Sequence, residues 1–121
     1  MAPLVLVFEK RPRWAPELQR QFADEEVRIR ACRSTADVDE RLRESPGSLV
    51  VLDLRAGSAA CLQFLAAGSQ KPVRPPMIVV GSLRTAELEW PMRELGATEF
   101  LPDPPGDRLA AVCRRQWQAT S

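Results

Sequence analysis

Three short apolar runs constrain the fold of this chain more than any other feature. They occupy residues 4–8, 49–53 and 77–80, and only the last residue of the second run is polar. Runs of this length that are apolar on both faces are typical of strands buried between two layers of helices, as in a parallel sheet. Between the runs, Trp14, Leu18 and Phe22 have the spacing of one helix face. The alternation predicts an α/β domain with parallel strands.

Two weaker segments complete the expected sheet. Residues 27–32 alternate between apolar and more polar side chains, including Arg28 and Arg30, which fits a half-exposed edge strand. Residues 99–101 form a short fifth strand. The expected architecture is a flavodoxin-like (βα)5 fold, with a doubly wound five-stranded parallel sheet in the order 2-1-3-4-5. No linker divides the chain, so residues 1–121 are expected to form a single domain.

Residues that favour helix ends support this division of the chain. Ser34 is placed to cap the second helix, and Asp107 is placed to cap the last one. Gly96 is placed to end the fourth helix. Pro91 lies inside that helix, so the helix either begins late, with the proline in its first turn, or is kinked.

The composition excludes several classes of function. The 17 basic and 16 acidic residues give a net charge of +1, which provides no general attraction to nucleic acid or to an anionic membrane. No apolar run reaches the roughly 18 residues that a membrane span requires. The chain has no histidine, nucleophile elbow or phosphate-binding loop, so we do not expect an enzyme. Its three cysteines lack the spacing of a zinc site or a disulfide framework, which predicts reduced thiols in a cytoplasmic protein.

In such sheets, ligands bind beyond the carboxyl ends of the strands, near the point where the strand order reverses. The residues that follow strands one, three, four and five are therefore the candidates for chemistry. They are Phe8, Glu9 and Lys10; Asp53, Leu54 and Arg55; Gly81 and Ser82; and Asp103.

Two segments of the chain resemble response-regulator receiver domains. Residues 49–55 (LVVLDLR) look like the third strand of that family, which ends in the phospho-accepting aspartate. Residues 96–104 (GATEFLPDP) resemble the family's segment that leads from Gly-Ala through an aromatic strand to Lys-Pro. The resemblance extends over nearly all of the chain and implies that Asp53 occupies the phospho-acceptor position.

The phosphorylation site implied by this resemblance is incomplete. A receiver holds Mg²⁺ with two acidic residues after its first strand, where this chain has Phe8 and Glu9. The family's lysine at the end of the fifth strand is replaced by Asp103. The family's hydroxyl residue after the fourth strand is replaced by Gly81, with Ser82 one residue later. The resemblance therefore predicts a pseudo-receiver, a signalling or scaffold module that acts through protein contacts without standard aspartyl phosphorylation.

Two other functions remain open from the sequence. The first is a phosphorylatable two-component receiver that uses Asp53. The second is a flavodoxin-type binder of a small molecule or anion. The turn at residues 9–13 lacks the small residues that cradle a phosphate, but it is basic and therefore compatible with an anionic ligand.

The charged residues at this edge also allow several arrangements. Glu9, Asp53 and Asp103 would together form a carboxylate cluster that binds a divalent cation such as Mg²⁺ without phosphate. No other cofactor is expected. Alternatively, a basic neighbour folds back on Asp53 and neutralises it, or the charges are solvated and have no role. The basic candidates are Lys10, Arg11 and Arg55.

Aromatic residues predict where a protein partner docks. In receivers, the face formed by the fourth helix, the fifth strand and the fifth helix carries the signal, and Phe100 matches the family's switch aromatic. Trp90 and Trp117 add two rings near this face, and Trp90 is expected to be exposed. Core packing is the alternative for Trp117, because it continues the apolar stripe of the last helix. The partner is expected to be a protein, and the chain a monomer or weak homodimer.

Overall fold

The computed structural model describes residues 2–72 and 74–119, and these residues form a five-stranded parallel sheet. The strands are β1 (Leu4–Phe8), β2 (Arg28–Cys32), β3 (Leu49–Asp53), β4 (Met77–Gly81) and β5 (Glu99–Pro102). Their order is β2-β1-β3-β4-β5, and every neighbouring pair is parallel. The flavodoxin-like fold class predicted from the sequence is confirmed.

In the described part of the chain, five α-helices connect or follow the strands. They are α1 (Trp14–Gln21), α2 (Thr35–Glu44), α3 (Ser58–Gly68), α4 (Glu89–Glu94) and α5 (Gly106–Ala119). Short 3₁₀ helices, Leu54–Ala56 and Leu83–Leu88, follow β3 and β4. α1 and α5 pack on one face of the sheet, and α2, α3 and α4 pack on the other. This cover on both faces explains why the central strands lack polar alternation.

Alternate side chains of the central strands supply two separate cores. Successive residues of a strand point to opposite faces. Leu6 and Leu52 therefore pack with α2, α3 and α4, whereas Val5, Val7 and Val51 pack with α1 and α5. All five side chains are fully buried. Because the strands are parallel, the residues that end β1, β3, β4 and β5 meet at one edge of the sheet.

The helix ends agree with the sequence prediction except at α5. Ser34 caps α2 by accepting a hydrogen bond from a first-turn N–H (3.1 Å). Gly96 follows α4 with a φ of +113°, a conformation that favours glycine. Pro91 lies in the first turn of α4, so the helix begins late. The prediction that Asp107 caps α5 is wrong, because the helix already begins at Gly106 and Asp107 lies within its first turn.

β2 lies at the edge of the sheet, as predicted, but the alternation of partly buried apolar and exposed polar side chains does not extend to Ala31 and Cys32. Arg28, Arg30 and Ala31 are exposed, whereas Cys32 is fully buried. Burial along β2 therefore does not follow the alternation of residue types as far as Cys32. The reason is that the α2 layer covers the carboxyl end of β2, where Cys32 packs in the same core as Val38.

The three cysteines are free thiols buried in the two cores. Burial raises the pKa of Cys32 to about 11 and the pKa values of Cys61 and Cys113 to about 12. These thiols are therefore protonated and unreactive at neutral pH. Among the described residues, no helix combines the length and the apolar character that crossing a membrane requires.

Candidate functional site

Asp53 ends β3 at the edge where the strands finish, and its side chain is buried. Its Oδ1 atom accepts a hydrogen bond from the backbone N–H of Arg55 (3.0 Å). Burial raises the pKa of the Asp53 carboxyl above its ordinary value. The Arg55 N–H and the charges of Arg55 and Arg13 oppose this rise, whereas the charge of Glu9 adds to it. Asp53 is thus a desolvated carboxyl group at the position where the sequence predicts the site.

Glu9 directly follows β1, and its carboxylate binds the amino end of α1. Oε1 accepts hydrogen bonds from the N–H groups of Trp14 (2.8 Å) and Arg13 (3.2 Å), and Oε2 accepts from the N–H of Ala15 (3.0 Å). Glu9 is only 3 % exposed. A carboxylate at this end of a helix satisfies N–H groups that have no partner within the helix, and it also complements the helix dipole. Glu9 therefore holds α1 in place.

The sequence pattern predicts Glu9 as a metal ligand and does not predict this contact with α1. The residue that precedes α1 is Arg13, and an arginine side chain has only donors, so it cannot accept hydrogen bonds from the first N–H groups of the helix. An amphipathic helix that begins without a serine, threonine, aspartate or asparagine needs an acceptor from elsewhere. A buried glutamate a few residues upstream supplies one.

Phe8 precedes Glu9 and points into the core. Its ring is 2 % exposed and belongs to the core on the α2 side of the sheet. In the sheet register it lies beside Cys32 on β2 and Leu52 on β3. An aromatic ring in this position supplies no oxygen ligand to a metal ion.

Asp103 follows β5 and links three loops at this edge. Its N–H donates to the Gly81 carbonyl (2.8 Å), and its φ is +43°. One carboxylate oxygen lies 3.7 Å from the Arg55 guanidinium, and the other accepts a long hydrogen bond from the Leu83 N–H (3.4 Å). Both charged side chains are about half exposed or more, so we expect this ion pair to stabilise the loops by about 0.2–1 kcal/mol. Asp103, Arg55, Leu83 and their neighbours line a cleft of about 400 Å³.

Gly81 ends β4, and the space beside it is filled. A Cβ atom at this position would lie 2.6 Å from Thr85 Oγ1 and 3.0 Å from Cζ of Phe100, whose ring is buried. Ser82 caps the next 3₁₀ helix by accepting from the Arg84 N–H (3.2 Å), while its own N–H donates to Thr85 Oγ1 (2.8 Å). The hydroxyl of Ser82 therefore accepts a backbone hydrogen bond at the start of this 3₁₀ helix.

Comparison with known proteins shows which fold this is. No family model matches the sequence, and neither does any curated protein. A response regulator from Thermotoga maritima superposes with a TM-score of 0.82 at 14% identity, covering 98% of this chain and 99% of that chain. The receiver domain of the TMAO respiratory response regulator TorR gives a TM-score of 0.80 at 19% identity, covering 98% of each chain. The chain has the receiver fold. The signal receiver domain of a Syntrophus aciditrophicus histidine kinase agrees, with a TM-score of 0.80 at 18% identity over 98% of this chain and 92% of that one.

The residues at this edge do not fit Mg²⁺ in the way that the receiver resemblance implies. Phe8 lies in the core, both oxygens of Glu9 accept backbone N–H groups, and Asp103 lies beside Arg55. Within residues 2–72 and 74–119, no three acidic, cysteine or histidine side chains lie close enough to hold a metal ion. The carboxylate cluster of Glu9, Asp53 and Asp103 expected from the sequence is therefore not assembled.

The sequence also allowed a basic side chain to fold back on Asp53. In the described part of the chain, no ion pair reaches Asp53, whose carboxylate accepts a hydrogen bond from the backbone N–H of Arg55. The Arg55 guanidinium instead lies near Asp103, and the Arg13 guanidinium lies over the Trp14 ring, 4.4 Å from its centre. Among the described residues, the predicted candidates Lys10, Arg11 and Arg55 form no ion pair with Asp53, although the charge of Arg55 opposes the rise in its pKa.

The three aromatic residues predicted for one interaction face have different environments. Trp90 on α4 is 71% exposed. Phe100 on β5 is buried in the core. Trp117 near the end of α5 is partly buried, and its ring lies 5.3 Å from the ring of Phe22 beside α1. Trp90 alone of the three therefore presents most of its ring to solvent, which confirms its predicted exposure, and Trp117 agrees with the core-packing alternative.

Proposed function

We propose that this chain is a receiver-fold signalling module that docks to a protein and is not switched by phosphorylation of Asp53. The position of Glu9 carries the proposal, because both of its oxygens hold the start of α1. A phosphorylated receiver needs an acidic residue here for Mg²⁺. Releasing Glu9 to a metal would leave the buried N–H groups of Trp14 and Ala15 without an acceptor, at about 1–3 kcal/mol each.

The charge at the end of β5 supports the same proposal. Phosphoryl transfer depends on positive groups that neutralise the oxygens of the transferred group. Asp103 places a negative charge where the resemblance implies a lysine. Its repulsion of a phosphoryl group about 4 Å away amounts to roughly 1–4 kcal/mol in partly solvated surroundings. The neighbouring cation, Arg55, already lies near Asp103 (3.7 Å).

The packing of Phe100 supports the proposal that the domain has a single conformation. A ligand shifts a protein between two states only if it binds one of them better. In a receiver, the phosphoryl group on the aspartate supplies that preference, and the proposal is that Asp53 does not carry one. The Phe100 ring is 4 % exposed and lies against the backbone of Gly81. We therefore propose that its buried position is permanent and that the docking surface is always available.

The α4 side of the fold is the proposed docking surface. Trp90 and Leu83 are the large apolar side chains most exposed to solvent in the described residues, at 71% and 80%. Exposed tryptophans are frequent anchors in protein interfaces. The free thiols of the chain are consistent with a cytoplasmic partner, because disulfides are rare in that compartment.

Phosphate uptake tests the chemical part of the proposal. Wild type and Asp53→Asn are incubated with Mg²⁺ and phosphoramidate, and intact masses are measured, with a phosphorylatable receiver domain as the positive control. We expect no mass increase in wild type because Phe8 supplies no oxygen ligand to Mg²⁺, Glu9 is held at the start of α1, and Asp103 replaces the lysine that the resemblance implies. A gain of one phosphate in wild type that Asp53→Asn abolishes would refute the proposal.

Trp90→Ala tests the docking part. An exposed anchor contributes little to folding, so we expect the melting temperature to remain close to that of wild type while partner affinity falls. Asp53→Asn is the matched control and should leave partner affinity unchanged. A large fall in melting temperature for Trp90→Ala, or partner affinity that depends on Asp53, contradicts the proposal.

A further inference from the structure

The outer edge of β2 has backbone groups that the sheet does not use. Among the described residues, β2 pairs with β1 alone. The Arg28 N–H and the Cys32 carbonyl form hydrogen bonds on the β1 side (2.9 and 3.1 Å). Because backbone groups alternate in direction along a strand, the N–H and C=O groups of Ile29 and Ala31 point away from the sheet. They form a free pairing edge.

Arginines line one side of this edge. Arg28 and Arg30 share a strand face with Cys32, which packs on the α2 side. Both arginines are exposed, and neither forms an ion pair within residues 2–72 and 74–119. With Arg41 of α2, whose guanidinium pairs with Asp37 (3.5 Å) and Glu44 (4.0 Å), they line a cleft of about 420 Å³ in which, among the described residues, Arg28 and Arg30 carry the unpaired positive charge. This side of the edge is therefore positive.

The opposite side of the edge is apolar. Ile29 is partly buried and packs against the core formed with α1 and α5. Ala31 lies on the same side and is exposed. A strand added here would place alternate side chains beside the arginines and beside Ile29.

We propose that the outer edge of β2 binds an extended acidic segment of a partner protein, which joins the sheet as an additional strand. Charge complementarity selects this occupant, because acidic side chains would lie next to Arg28 and Arg30 while apolar ones alternate with them. A second copy of this chain is disfavoured, since pairing β2 with β2 would bring the same arginines together. The site is independent of Trp90 and of the chemistry at Asp53.

Two capped peptides of about six residues, the usual strand length, test the pattern. One alternates glutamate and valine, and the other has the same composition in two blocks. Wild type, Arg28→Glu/Arg30→Glu and the charge-matched control Arg11→Glu/Arg108→Glu are titrated into each fluorescent peptide. Ala31→Pro is added because it removes an outward N–H at an edge position, where proline is tolerated. Amide hydrogen exchange of Ile29 and Ala31 is followed in parallel.

We expect wild type to bind the alternating peptide at least about tenfold more tightly than the block peptide. Arg28→Glu/Arg30→Glu and Ala31→Pro should each weaken binding by about tenfold or more, whereas the control should bind like wild type. The amides of Ile29 and Ala31 should exchange more slowly in the complex. Equal binding of both peptides, equal weakening by the control, or unchanged exchange at β2 would overturn the proposal. Self-association of wild type that Ala31→Pro abolishes would also overturn it, in favour of a second copy.

Discussion

Replacing Glu9 with alanine tests the structural role of this residue. The change removes the acceptor from the N–H groups of Arg13, Trp14 and Ala15. Arg13 is exposed, so its N–H can turn to water, but Trp14 and Ala15 are 3% and 6% exposed. At about 1–3 kcal/mol for each buried group without a partner, we expect a loss of about 2–6 kcal/mol in the free energy of unfolding. Loss of the charge at the helix end adds about 0.3–1 kcal/mol.

Urea unfolding followed by circular dichroism at neutral pH measures this loss. Glu26→Ala removes an exposed acidic side chain and serves as the control, with almost no expected change. Glu9→Gln keeps the size and one acceptor oxygen, so its loss should lie between those of wild type and Glu9→Ala. A loss for Glu9→Ala no larger than that for Glu26→Ala would refute the reasoning. Stabilisation of wild type by Mg²⁺ that disappears in Glu9→Ala would refute it as well, by showing that Glu9 binds a metal.

Two further substitutions test the packing and the electrostatics of the same edge. Gly81→Ala would place a Cβ atom 2.6 Å from Thr85 Oγ1 and 3.0 Å from Phe100 Cζ, so we expect a destabilisation of about 1–3 kcal/mol on urea unfolding. Gly47→Ala, with no atom within 4 Å of the new Cβ, is the control, and equal effects would contradict the packing argument. For Asp53, burial raises the native pKa above its ordinary value of 3.8, so the native state binds the proton more tightly than the unfolded state. The stability contributed by protonated Asp53 is fully present below pH 3.8 and is lost as the pH rises from 3.8 through the higher native pKa. Asp53→Asn should therefore be more stable than wild type at neutral pH but not in acid. Wild type that is the more stable protein at neutral pH would contradict this assignment.

Local sequence patterns account for the predicted fold. Residues 49–52 are all apolar, and consecutive side chains of a strand point to opposite faces of the sheet. The run therefore predicts that β3 is covered on both faces. Arg28 and Arg30 marked β2 as an edge strand for the same reason. The order of the strands then followed from the rules for parallel α/β sheets.

The roles of individual site residues depended on tertiary geometry. Glu9 was placed at the correct edge, but its hydrogen bonds depend on where α1 begins relative to β1. Trp117 continues an apolar stripe, and only the packing of α5 against α1 shows its contact with Phe22. Cys32 is buried because α2 covers the end of β2, which the two-residue alternation of a strand cannot reveal. The hydrogen bonds of Glu9, the ring contact of Trp117 and the burial of Cys32 all depend on contacts between segments that are distant in sequence. A local sequence pattern therefore cannot predict them.

The most direct test of the central claim is a crystal structure of this chain grown with Mg²⁺ and beryllofluoride, a mimic of the phosphoryl group on aspartate. We expect Asp53 without bound beryllium, its Oδ1 still accepting the Arg55 N–H. Glu9 should remain on the first N–H groups of α1, and Asp103 beside Arg55. Electron density for beryllofluoride on Asp53, with Mg²⁺ held by Glu9, would contradict the account.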